Sequence, residues 1–379
     1  MNVSMAKVHQ GWMPSPDCGR GTLDLLYTCC LTIFLCCWSA LHMNVPADDD
    51  LKVSILARQI KWTLFCLLMP EYVSWEAVED MWHAQILRSE FQKIPQVRDW
   101  TLAHGFLLKM GGLALKTPNG DRFRPSVSHF LSLLKANRIK MPEITKEDVE
   151  DKGKASVFVK VIALVQILWF AINIIARTTQ GLPITTLELF TSAIIFCSIL
   201  TYACWWNKPC GIERPFCLNT TVSIEELEKV ITERPYHRFT APGKRVALTD
   251  YNMDDDLTSM PKPPIIWMVC TVVVSSFGPW HLLGWNFYFN TATERFLWRF
   301  ASFCCTVIPI VFVMSVSPLR KKGGNIGQLI FGLVGVMVLA LYVLVRLYLL
   351  AESLAGLRTV PADVYQSVEW STLIPHLGK

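Results

Sequence analysis

Long apolar runs alternate with charged stretches along this chain, and the lengths of those runs set the fold class. A hydrocarbon core about 30 Å thick takes roughly 20 apolar residues in a helix. Six runs meet that length: 22–43, 156–176, 183–206, 264–287, 296–317 and 326–351. A seventh, 53–74, carries Arg58, Lys61 and Glu71 and reads as a span whose polar residues face other helices. The pattern predicts an all-α fold: a single membrane domain over 1–379, a polytopic helix bundle of about seven transmembrane helices. The stretch 101–116 is shorter and holds His104, Lys109 and the Gly111–Gly112 pair, which suits an interfacial or re-entrant piece.

Two long polar segments, 75–155 and 207–263, separate the spans. Within 74–93, Trp75, Val78, Trp82 and Ile86 recur at helical spacing with charges between them, as in an amphipathic helix lying on the membrane surface. Ser223 followed by Glu226 forms a capping box that starts a short helix. The acidic 250–256 stretch reads as loop.

Composition agrees with the pattern. Charged residues make up 18% of the chain, against about 25% in soluble domains. Ten of the 13 cysteines lie inside apolar runs, where they act as small hydrophobes, so no disulfide framework is expected. Residues 1–21 contain two prolines and an acid, and the run that follows continues to Met43, so the first helix is an anchor and not a cleaved leader.

Charge distribution sets the expected orientation. With seven spans, segments 1–21, 75–155, 207–263 and 318–325 share one side and carry 26 of the 36 Lys and Arg residues. Lysine and arginine concentrate on the cytoplasmic side of membrane proteins. The expectation is therefore a cytoplasmic N-terminus and a lumenal C-terminus. The sequons at Asn2 and Asn219 then both face the cytosol, and neither is expected to carry a glycan.

Ionisable residues inside a bilayer are costly and become candidates for chemistry by default. Under the seven-span topology, His42, Arg58, Arg177, Glu188, His281, Glu294, Arg299, Arg346 and Glu352 all fall in the far half of the membrane. Glu71 belongs to a thinner cytoplasmic layer. The expected catalytic set is Glu188, His281 and Glu294; Glu188 and His281 stand out because their helical neighbours are apolar. His42, Arg58, Glu71, Arg177, Trp280, Trp285 and Arg346 are the expected substrate pocket. Each has a plain alternative: charges at one depth also serve as glue between helices, and tryptophans near helix ends form the usual interfacial belts.

Other chemistries find no footing. Asp48–Asp50 and Asp254–Asp256 lack the further acid of a diphosphate-binding cluster and sit in loops. The 323–328 stretch GGNIGQ lacks the lysine of a phosphate loop, and no nucleophile elbow, HExxH or paired CxxC occurs. No metal site, no organic cofactor and no nucleic-acid partner is expected.

Several longer signatures carry a resemblance: GWMPSPDCGRGTLDLL (11–26), CWSALHMNVP (37–46), MPEYVSWEA (69–77), LPITTLELFT (182–191), WWNKP (205–209), HLLGWNFYFNTATERFLWR (281–299), YVLVRLYLLAESLAGLR (342–358) and WSTLIPH (370–376). Along nearly its whole length the chain resembles a large group of fungal multi-pass membrane proteins, most without an assigned function. It is also similar to the ascofuranone-type integral-membrane terpene cyclases of meroterpenoid biosynthesis. That second resemblance implies a cofactor-independent isomerase of secondary metabolism acting on an epoxyfarnesyl aromatic, a lipid-soluble substrate. An acid would start the cyclisation, with Glu188 in that role and Glu294 or His281 as the base, and Trp280 and Trp285 would shape the cavity.

Seven helices with an intramembrane charge layer also suit a transporter or a sensor. A third reading is a non-catalytic scaffold that gathers pathway enzymes at its cytoplasmic face through 75–155 and 207–263. With no other targeting signal, and with lipid-soluble intermediates as substrates, the endoplasmic reticulum is the expected membrane.

Overall fold

A computed structural model describes residues 9–15, 20–46, 50–120, 122–125, 127–139, 144–151, 154–222, 262–316 and 325–370. Six helices are long and apolar enough to cross a membrane: Thr22–Ser39, Phe158–Thr179, Thr186–Trp205, Pro264–Leu282, Ala292–Val313 and Val334–Arg358. Side chains on their outward faces are large and apolar, among them Phe158, Val165, Leu168, Phe296, Phe303, Met337 and Leu344. Such exposure is unfavourable in water and expected of a surface that faces lipid.

Side-chain contacts give each helix its direction. Helix α1 (Thr22–Ser39) is preceded by Arg20, which pairs with Glu188 at the start of α8 (Thr186–Trp205), while Ser39 at the other end bonds Tyr202. These two helices therefore run parallel. Helix α7 (Lys154–Thr179) runs against them: Gln166 donates to Thr32, and Arg177 reaches the Val364 carbonyl that Arg20 also binds. Helices α9 (Pro264–Val274) and α10 (Phe277–Leu282) form one interrupted span broken at Ser275–Ser276. That span is antiparallel to α8, with the His281 ring against Phe190 and Ser276 near Cys197. Helix α11 (Ala292–Val316) packs closely on α10, where a Cβ on Gly278 would collide with Thr306. Helix α12 (Asn325–Ala355) returns, bringing Tyr348 to the Glu294 carbonyl at 3.1 Å. The six long helices thus alternate in direction, and α8, whose residues are largely buried, lies at the centre of the bundle.

The segment 53–74 differs from the span expected of it. Helix α2 (Lys52–Leu68) has 17 residues, and Met69 breaks it before Pro70 opens α3 (Pro70–Phe91). Proline fits the first helical position because its missing N–H is unpaired there in any case. Ser74 bonds the Cys197 carbonyl in the middle of α8, whereas Asp80 meets Trp205 at the end of α8. The α2–α3 hairpin therefore dips to the middle of the bundle and leaves by the end it entered. It is the re-entrant element of this fold. The helix expected to lie on the membrane surface at 74–93 is the inner part of α3, burying Val73, Ala77, Ala84, Leu87 and Phe91 within the protein.

The 101–116 stretch belongs instead to a small subdomain. Helix α4 (Leu102–Lys109) leads into β2 (Leu113–Lys116), which pairs antiparallel with β3 (Arg122–Phe123) and parallel with β4 (Phe216–Asn219). Helix α5 (Val127–Lys135) and the short α6 (Lys146–Asp151) complete it around Phe91, Leu107, Leu115, Phe130 and Leu218. The described part of 75–155 and residues 207–222 thus fold together. The capping box at 223–226 and the 250–256 stretch lie outside the described residues.

Strand β1 (His9–Gln10) pairs antiparallel with β5 (Val360–Pro361), and Tyr365 donates to the Gly11 carbonyl at 2.8 Å. The segments before α1 and after α12 therefore lie at one end of the bundle, opposite the subdomain. The expected placement of the two termini on opposite sides rests on the hairpin being a seventh crossing. Counting the hairpin as a span made the number of crossings odd; removing it makes the number even.

Candidate functional site

A cavity of about 640 Å3 opens at the terminal end of the bundle. Its walls are the 182–186 turn between α7 and α8, the 286–290 turn, the start of α11, the end of α12 and the 359–364 segment. Local chemistry fixes each wall. Gly181 takes φ +71° to close the end of α7, a conformation that glycine adopts without steric penalty. Thr185 caps α8, its hydroxyl accepting from the Glu188 amide at 3.1 Å while its own amide donates to the Glu188 carboxylate at 2.8 Å. Thr291 and Glu294 repeat the same reciprocal cap at the start of α11, at 3.1 and 3.3 Å.

Two carboxyl groups share this cavity in different surroundings. Glu294 forms an ion pair with Arg358. Glu352 is 6% exposed and makes no ion pair among the described residues, although the Arg358 guanidinium that pairs with Glu294 also attracts it. The Tyr348 hydroxyl lies between them, donating to the Glu294 carbonyl and hydrogen-bonded to the Glu352 carboxyl. Across the cavity, Arg295 is exposed and Arg299 half-buried. Arg299 donates from Nε to the Trp285 carbonyl at 3.0 Å, with its guanidinium 4.9 Å from the Trp285 ring centre.

The residues expected to form one pocket fall into three layers. At the cavity, Glu294 lines the wall, and Trp285 adjoins it through Arg299. Glu188 lies behind the wall as a structural anchor: Arg20 grips both its oxygens, at 2.7 and 3.2 Å, and Thr185 takes the remaining bonds. Arg177 is buried and binds the backbone carbonyls of Pro183, Val364 and Gln366, tying the C-terminal segment to the cavity floor. His281 is fully buried, its Nδ1 bonded to the Phe277 carbonyl at 3.1 Å and its ring enclosed by Phe277, Phe190 and Trp298. It lines no wall of the cavity. Trp280 packs on Phe196.

The second layer sits at mid-bundle. Arg346 donates to Glu71 at 3.0 Å and to the Leu68 carbonyl at 2.6 Å, and Tyr342 bonds the other Glu71 oxygen. This pair holds the tip of the re-entrant hairpin, and the Arg346 guanidinium lies 3.3 Å from the centre of the Phe277 ring. The third layer is at the subdomain end, where His42 packs on Trp205 and Arg58 pairs with Asp50 at 3.0 Å. Neither residue comes near the cavity.

Sequence reasoning missed two features. Glu352 was visible as an intramembrane acid at a helix end, but that Arg358 forms its ion pair with Glu294 and not with Glu352 depends on how the chain turns after α12. Asp80 joins the subdomain to the bundle, accepting from Lys109 at 2.6 Å, Lys208 at 2.7 Å and Trp205 at 3.0 Å. Burial alone would raise the Asp80 carboxyl, but the ammonium groups of Lys208 and Lys109 more than offset this and hold it below the usual carboxylate range. Among the described residues, no group of three His, Cys, Asp or Glu side chains is placed to hold a metal ion.

Residues 1–231 and 265–377 match the model of a family described as a family of unknown function, DUF8562. The chain belongs to this family. One family model therefore takes in both the bundle and the subdomain. No curated protein and no solved structure matches the chain.

Proposed function

We propose that this protein is an integral-membrane isomerase that cyclises a lipid-soluble prenylated substrate, with the terminal-end cavity as its active site. The observation that carries this reading is the carboxyl pair. Glu294 is paired with the Arg358 guanidinium, which would hold its carboxylate at the cavity wall in the role of base. Glu352 is buried outside any ion pair and shares a hydrogen bond with Tyr348, and in this reading it carries the proton. Two acids kept in different environments are the usual arrangement for acid–base work in one site.

Glu352 would protonate the terminal epoxide or alkene of the substrate. Ring closure would move the positive charge along the chain, and Glu294 would remove the last proton, so that substrate and product have the same mass. Phe287, Tyr288 and Phe289 supply aromatic surface along the cavity, and aromatic faces stabilise cations. The volume falls in the roughly 300–1,000 Å3 range of small-molecule sites. The resemblance to the terpene cyclases of meroterpenoid biosynthesis supports the same reaction class.

Orientation follows from the recount of basic residues on the six-span topology. Segments 75–155, 207–263 and 318–325 carry 24 of the 36 Lys and Arg residues, which supports a cytosolic subdomain and a lumenal cavity with both termini beside it. The endoplasmic reticulum remains the proposed membrane. Pathway enzymes would meet the protein at the subdomain.

A transport function is the second reading. It draws support from the hairpin tip and the Ser275–Ser276 break, which both reach mid-bundle near Cys197, because interrupted helices often mark carrier sites. Against it, Glu71 is satisfied on both oxygens by Arg346 and Tyr342.

The decisive assay incubates microsomes containing the protein with farnesylated and epoxyfarnesylated aromatics, without added metal or nucleotide, followed by mass spectrometry. A product of unchanged mass and new retention time supports the cyclase. No conversion by abundant, folded protein removes it and turns attention to flux measurements.

A further inference from the structure

The opening of α11 carries two arginines that form no ion pair among the described residues. Arg295 and Arg299 lie four residues apart, so they occupy one face of the helix. Both line the cavity. Like charges at that spacing repel, and the amino end of a helix already presents the positive pole of the backbone dipole. Compensation would be expected from an acid in the first turn. Glu294 stands there, but its carboxylate pairs with Arg358. The other acid of the cavity, Glu352, is hydrogen-bonded to Tyr348. Among the described residues, neither Arg295 nor Arg299 has a carboxylate within ion-pair distance.

Arg299 is also held in place. Its Nε donates to the Trp285 carbonyl, its Nη2 lies 3.5 Å from the Asn286 side-chain oxygen, and the Trp285 ring lies against its guanidinium. A guanidinium fixed in this way can present its remaining N–H groups to a planar anion without losing further freedom. The cavity therefore carries an exposed cationic rim as well as a buried acid.

We propose that Arg295 and Arg299 bind the anionic head of the substrate, a carboxylate-bearing isoprenoid whose hydrocarbon tail points toward Glu352. This names the substrate class within the cyclase reading and rests on it. A phospholipid head group offers the same chemistry to two arginines near a membrane surface, so the test separates the two sources.

The full-length protein, in nanodiscs of phosphatidylcholine, is titrated with farnesoic acid and with its methyl ester, following tryptophan fluorescence. The acid should bind at least about tenfold more tightly than the ester. Arg295→Gln and Arg299→Gln should each weaken the acid by roughly tenfold and leave the ester unchanged, since one charge-assisted hydrogen bond is lost in each. Equal binding of acid and ester, or equal weakening of both by the substitutions, overturns the proposal. So does loss of acid binding when phosphatidylglycerol replaces phosphatidylcholine, because the arginines would then be anchors for bulk lipid. The cyclase reading is tested apart from this. Arginine-dependent binding of the acid, with no isomerisation of any prenylated substrate, would leave the head-group site standing and remove the cyclase.

Discussion

Glu188 and Glu352 are both buried carboxyls near one cavity, and their neighbours give them opposite duties. Arg20 binds both oxygens of Glu188, and Thr185 adds a cap, so this side chain is committed to holding α1, α8 and the 364 region together. Replacing Glu188 with Gln leaves Arg20 facing a neutral amide, and breaking a buried pair in this way costs about 3 kcal/mol. Glu188→Gln is therefore expected to lower the thermal midpoint of the purified protein by several degrees, with any activity that survives showing an unchanged pH profile. Normal stability together with complete loss of activity would restore Glu188 to the chemistry. The sequence displayed both acids equally well. It could not show that Arg20, 168 positions away, reaches only one of them. His281 illustrates the same limit, since a histidine among apolar residues reads alike whether it lines a cavity or, as here, is sealed between Phe277, Phe190 and Trp298.

At the scale of elements, the six long runs were legible because lipid demands length, and each became a helical segment long enough to span, one of them interrupted at Ser275–Ser276. The α2–α3 hairpin was not, because its break depends on one proline. Pro70 can open a helix as well as end one, and the apolar count of 53–74 passes for a span when the break is ignored. The parallel pairing of β2 with β4 was equally hidden, since its partners lie about a hundred residues apart in sequence. The contact that joins these elements is Asp80, between α3, α4 and the end of α8. Its carboxyl is held low in the folded protein, so it contributes stability above the unfolded value and loses that contribution as pH falls. The junction should hold at neutral pH and weaken only below about pH 4, near the carboxyl value of an unfolded chain. Asp80→Asn should remove this acid-induced loss while lowering stability at pH 7. Thermal melts across pH 3–7 would check it, and an unaltered acid profile in the variant would show that another group carries the transition.

For the molecule as a whole, the β1–β5 pairing brings the segments before α1 and after α12 together at the cavity end, as an even number of crossings would require. Glycosylation tags appended at the N- and C-termini should therefore behave alike, both modified in microsomes if the basic subdomain faces the cytosol. Modification of one tag alone would mean an odd number of crossings. The bulk of the architecture was readable because the bilayer restricts what a chain can do in it. The candidate site was not, because it is assembled from the ends of segments that only packing brings together. The measurement that bears most directly on the proposed chemistry compares turnover of an epoxyfarnesyl aromatic by the purified wild-type protein and by Glu352→Gln. The amide preserves shape but has no acidic proton, so the rate should fall by about 10²–10⁴, with the thermal midpoint nearly unchanged. A Glu352→Gln protein that still cyclises the substrate at the wild-type rate would contradict the account.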